Sequence, residues 1–177
     1  MLKAFLEEAR WCDDKHMPKF DDYLKNASVS ISGVVLQTHS YFLLNPTIIT
    51  KEGLAYLENF HMVLQRPSII SRLCHDFATS SAEFQKGETK ISIMCYMNEN
   101  GVSEEVAHTN IRKIHDETWK KMNKDQVTDS TFPKYFSETL INLARISHCM
   151  YQYEDGLGAP KTIVKNRIKK LILEPIN

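Results

Sequence analysis

Apolar residues recur along this chain at the three-and-four spacing of a helix, and the residues that break helices fall between those stretches. Six glycines and six prolines punctuate the sequence without the regular short interval that strands and turns require. The pattern predicts a first helix over residues 2–14, ending before Pro18. A long apolar helix follows in "KFDDYLKNASVSISGVVLQTHSYFLL". Its middle is soft at Ser28, Ser30, Ser32 and Gly33, poor to fair helix formers that invite a local break. Strand alternation competes for "SVSISGVV", but the flanking pattern is helical on both sides.

Thr50 caps the next helix, "TKEGLAYLENF". "QRPSIISRLCHDFATSSAEFQKG" is predicted to start at Pro67 or Ser68 and to stop at Gly87, with proline at the entry and glycine at the exit. A short helix ends at Gly101, and Ser103 caps the one after it, with Glu104 and Glu105 in its first turn. That helix carries an apolar stripe of Ala107, Ile111, Ile114, Thr118 and Met122. Phe136, Leu140, Leu143 and Ser147 form the stripe of its successor, and "EDGLGAP" separates this from a last helix, "TIVKNRIKKLIL". The expected class is all-α, with seven or eight helices packed as one bundle.

The 22 basic and 22 acidic residues cancel, so no overall field attracts nucleic acid, and an anionic ligand has to be held locally. Cys12, Cys74, Cys95 and Cys149 are scattered without CxxC or CxxH spacing. That argues against zinc motifs and disulfides and for a reducing compartment, plastid stroma or cytosol. No apolar run is long enough to span a membrane, and "MLKAFLEEARW" has no hydrophobic signal core, so secretion is not expected. The periodicity is already running at Leu2, from which a truncated chain is expected.

One stretch gathers ligand types. In "RLCHDFATSSAE", His75, Thr79 and Glu83 share a helix face at i, i+4 and i+8, and Asp76 borders it. Carboxylates with a hydroxyl form a hard oxygen set suited to Mg²⁺, and Arg72 and Lys86 flank it by one turn each, as a diphosphate requires. A solvated polar face is the plainer reading, and spacing does not decide between them.

The longer stretch "RLCHDFATSSAEFQKGE" resembles the second metal-binding motif of plant class I terpene synthases, (N/D)Dxx(S/T)xxxE preceded by Arg-Leu. The likeness continues through "SIMCYMNENGVSEE", "DETWKKMNKD", "INLARISHCMY" and "LILEP", and upstream through "EARWCDDKHMPKFDDYLKNA". It is closest in texture to angiosperm monoterpene, isoprene and α-farnesene synthases. The resemblance implies the C-terminal part of an α-helical, metal-binding catalytic domain over residues 1–177. It implies Mg²⁺, with Mn²⁺ as substitute, and ionisation of a prenyl diphosphate such as geranyl or farnesyl diphosphate. His75, Asp76, Thr79 and Glu83 would be the metal set, with Arg72 and Lys86 at the diphosphate. Ser30, Ser32 and Gly33 would line the pocket at the helix break, and Tyr151 and Asp155 would stand at the loop that closes it. For these last residues a flexible helix, a core ring and a helix cap are the ordinary alternatives.

Two departures accompany the likeness. His75 stands where the family has Asn or Asp, and imidazole suits a softer metal than Mg²⁺. The aspartate-rich DDxxD motif is absent: Asp13-Asp14 leads to Met17, and Asp21-Asp22 leads to Lys25, where the third acid belongs. The helices that carry it are expected upstream of Met1. These departures predict little or no turnover by the isolated chain, and exposed apolar faces that promote self-association. The competing reading is a degenerate, inactive segment that acts at most as a helical association module. His115 and Asp116 are read as solvated polar-face residues, and Cys74, Cys95 and Cys149 as small buried hydrophobes.

Overall fold

The computed structural model describes residues 1–44, 49–86, 91–153, 155, 156, 158 and 162–173, without the side chains of 44, 81–86 and 171. Among these residues there are nine helices and no strand: α1 (Leu2–Asp13), α2 (Phe20–Ser30), α3 (Gly33–Leu44), α4 (Lys51–Glu58), α5 (Met62–Lys86), α6 (Ser92–Asn100), α7 (Glu104–Thr128), α8 (Lys134–Tyr151) and α9 (Thr162–Leu173). The all-α class stands, and the count exceeds expectation because the soft stretch breaks fully into α2 and α3.

The break turns on Ser32, which sits in the left-handed region at φ 69°. Its N–H bonds to the Val29 carbonyl, one residue short of the helical partner, and its own carbonyl starts α3 by accepting from Val35 and Leu36. Gly33 follows because α3 approaches α5 closely there. A Cβ on Gly33 would lie 2.1 Å from Ser68 Oγ and 3.0 Å from Ser68 Cβ.

α5 is the axis of the bundle and packs against α2, α3, α6, α7 and α8. It begins at Met62, before the predicted start, so that Pro67 lies inside the helix. Proline removes one N–H from the helical ladder. Two side chains serve carbonyls on the adjoining turns: Gln37 Nε2 donates to Leu64 O at 3.0 Å and Ser71 Oγ to Pro67 O at 2.8 Å.

Three apolar clusters surround this axis. Leu73 meets α2, α6 and α7 through Phe20, Leu24, Ile93 and Ile111. Leu64 meets Tyr41, Phe132 and Phe136. Ile70 and Cys74 meet Met122, Ile141 and Ala144. On α7 the predicted stripe is buried at Ala107, Ile111 and Met122. On α8 it is buried at Phe136, Leu140 and Ser147, with Ala144 in addition.

Thr50 and Ser103 cap α4 and α7, accepting from the N–H groups of Gly53 and Val106. Gly101 ends α6 in the left-handed conformation, at φ 62°. Two other helix starts take a carboxylate from a neighbour: Phe20 N–H donates to Glu99, and Ser92 N–H to Asp76. Both anions complement the helix dipole. Among the described residues no helix is long and apolar enough to cross a membrane.

Candidate diphosphate and metal site

Arg72, His75, Asp76 and Thr79 occupy two successive turns of α5, and the structure divides them between two environments. Spacing put Asp76 at the border of the ligand face, but its side chain is 0% exposed and turned to the interior. Its Oδ2 accepts from the Tyr23 hydroxyl at 2.8 Å and from Ser92 N–H at 3.0 Å. Its Oδ1 lies 2.8 Å from Arg72 Nε and 3.3 Å from His75 Nδ1. Both oxygens are therefore committed to protein donors, and the carboxylate ties α5 to α2 and α6.

Arg72 Nε also lies 2.8 Å from the Tyr23 oxygen. Burial alone would lower the guanidinium's pKa, but Asp76 and Tyr23 outweigh it and hold Arg72 firmly protonated. Burial likewise opposes ionisation of Asp76. The Arg72 charge, with hydrogen bonds from His75 and Ser92, overcomes this and keeps the carboxyl below its ordinary range. Tyr23 is pushed well up, by burial first and then by the Asp76 charge.

His75 is the most open residue of the set, and Thr79 is buried one turn on, at 6% exposure. The His75 side chain is 23% exposed, and its ring meets Tyr151 edge-on at 5.3 Å between centroids. Thr79 gives its hydroxyl proton to the His75 carbonyl at 3.1 Å, which leaves the oxygen lone pairs as acceptors. Thr79 thus suits a hard cation, whereas His75 presents nitrogen where Mg²⁺ favours oxygen. The side chains of Glu83 and Lys86 lie outside the described residues; the helix that carries them runs through Lys86.

Tyr151, the last residue of α8, lines an apolar cavity of about 250 Å³ together with Ile31, Gly33, Leu36, Leu143 and Ile146. Of the three pocket residues expected at the break, Gly33 is on this wall. Ser30 bonds instead to Glu8 at 2.6 Å, and Ser32 to Met1 Sδ at 3.2 Å. Spacing put Ser147 on the α8 stripe but missed Ser71 and the pairing of the two hydroxyls at 2.8 Å in the same wall. Being mid-helix serines, they carry no sequence signal of facing one another. Burial, then the Asp155 charge, raises the Tyr151 pKa. Asp155 accepts from the Gly158 N–H at 2.8 Å.

His115 corrects a reading. Asp116 is solvated, with a side chain 70% exposed, but that of His115 is 12% exposed and turned toward Cys74 and Trp119. Cys74 and Cys95 are buried as expected, and Cys149 is partly so. Burial pushes the Cys74 thiol up to about 11.

Comparison with known proteins agrees with this fold. Residues 1–121 match the Terpene synthase family, metal binding domain, and the chain belongs to that family. It is 73% identical, over its full length, to the chloroplastic tricyclene synthase TPS4 of Medicago truncatula, of which it covers 30%. It is 50% identical to the chloroplastic isoprene synthase of Pueraria montana var. lobata, with 99% of this chain and 29% of that protein aligned. Grey poplar isoprene synthase, solved with three Mg²⁺ ions and dimethylallyl-S-thiolodiphosphate, superposes with a TM-score of 0.88 at 45% identity. That superposition covers 99% of this chain and 33% of the poplar chain. The chain thus spans about 30% of the length of the curated relatives it matches.

Proposed function

We propose that the chain supplies one metal-binding face and part of the pocket wall for ionisation of a prenyl diphosphate, geranyl or farnesyl, yielding a terpene and free diphosphate. The observation that carries this reading is the adjacency of two opposite environments. A polar face with His75 and Thr79 meets, through Tyr151, a chamber walled by Ile31, Leu36, Leu143 and Ile146. Mg²⁺, or Mn²⁺, would neutralise charge on the departing diphosphate. Thr79 would hold it, with Glu83 by sequence, and His75 would weaken the hold.

Asp76 and Tyr23 position Arg72, and a guanidinium fixed in this way meets an anionic oxygen without reorganising. Lys86 would be the second cation. Tyr151 and Asp155 would close the chamber, whose apolar wall keeps water from a carbocation. A plastid location is proposed because the tricyclene and isoprene synthases above are chloroplastic and all four cysteines are free thiols.

The test is a chimera in which residues 1–177 replace the matching segment of the Medicago tricyclene synthase, assayed with geranyl and farnesyl diphosphate and Mg²⁺. Volatile terpene is expected, and His75→Asn should raise turnover. The isolated chain should give little or none. The His75 imidazole favours a second reading, an inactive helical module. Product from neither the chimera nor its His75→Asn form would establish that reading.

A further inference from the structure

We propose that Cys74, His115 and His148 form a site for a zinc-type divalent metal, with a ligand set distinct from that of the neighbouring diphosphate face. They come from α5, α7 and α8, and one donor atom of each lies within 4.8 Å of the other two. Cys74 Sγ and His115 Nε2 are 3.7 Å apart. A tetrahedral zinc ion with ordinary Zn–S and Zn–N bonds sets sulfur and nitrogen about 3.5 Å apart, so these two atoms already stand at a shared-ion separation. The His115 and His148 rings lie at 26° to one another with centroids 6.4 Å apart, roughly 1 Å beyond the separation two imidazoles take on one tetrahedral ion, so His148 moves inward to complete the set.

His115 is also oriented as a ligand. Its Nδ1 lies 3.0 Å from Asp116 Oδ1, so the carboxylate fixes the tautomer and leaves the Nε2 lone pair directed at Cys74. A carboxylate behind a histidine is the usual outer support of a zinc ligand. Thiolate and imidazole together select zinc-like ions over Mg²⁺. A cavity of about 580 Å³, lined also by Phe77, Arg112 and Tyr151, opens on the cluster and leaves the fourth position to water or a small ligand. One contact opposes binding: Trp119 Nε1 lies 3.1 Å from the same His115 nitrogen and competes for its lone pair. The thiol proton leaves to solvent as the metal arrives.

Cobalt(II) titration of the full chain tests this assignment. One equivalent should produce a thiolate-to-cobalt charge-transfer band in the near ultraviolet, which zinc then abolishes by displacement. Cys74→Ser should remove the band, while Cys12→Ser and Cys149→Ser keep it. Asp116→Asn, at an exposed side chain that does not threaten folding, should weaken zinc about tenfold. Trp119→Phe, which removes the competing donor, should tighten it by roughly two- to tenfold. The assignment fails if no thiolate band forms, if the band survives Cys74→Ser, or if both Asp116→Asn and Trp119→Phe leave zinc affinity unchanged.

Discussion

Asp76 shows how one side chain can leave its expected role without leaving its helix. Its carboxylate has no contact with solvent, so its stability contribution depends on staying ionised beside Arg72. Asp76→Asn leaves a buried guanidinium without its counter-charge and should destabilise the fold by about 3–5 kcal/mol, read by urea unfolding at neutral pH. The pH dependence has a definite sign. Because the folded pKa lies below the ordinary value, the stabilisation is present above pH ~4 and is lost as pH falls through the folded pKa. An acid titration followed by circular dichroism should show this limb in the parent chain and a flatter one in Asp76→Asn. At Ser32 the sign reverses. A non-glycine residue in the left-handed region carries strain, so Ser32→Gly should stabilise by about 0.5–1 kcal/mol in the same assay.

Among the elements, α3 and α5 meet at an approach that a methyl group would obstruct. Gly33→Ala should cost about 1–3 kcal/mol by overpacking against Ser68, as a fall in melting temperature. Ser68→Ala in the same chain should recover only part, since Ser68 Cβ still stands 3.0 Å from the new carbon. Much of this level was legible from the sequence. Thr50, Ser103 and Gly101 act through neighbours one turn away, which is why the ends they set were read correctly. The start of α5 was not, because Pro67 reads as an entry residue, while packing carries the helix back to Met62. Softness at "SVSISG" signalled a break, but serine gives no sign that it will adopt a positive φ.

For the molecule as a whole, the motif on α5 revealed the family, while its geometry depended on residues far along the chain. Tyr23 and Ser92 engage Asp76 from 53 and 16 residues away, beyond any local pattern. His115 follows the same rule: on α7 it reads as surface, and only α5 and α8 turn it into part of a cluster. Apolar exposure also belongs to this scale. Leu2 is 80% and Leu43 82% exposed, with Phe5, Leu6 and Leu36 also uncovered, and the isolated chain should self-associate. Sedimentation velocity should show a concentration-dependent rise above the monomer mass. Finally, Asp76 implies an order of events during synthesis. Arg72 reaches it as soon as one turn of α5 winds, whereas the amide that completes its shell belongs to a residue translated later. The shell around this charge is therefore closed only when Ser92 stands in place, so its full desolvation requires α6 to be docked on α5.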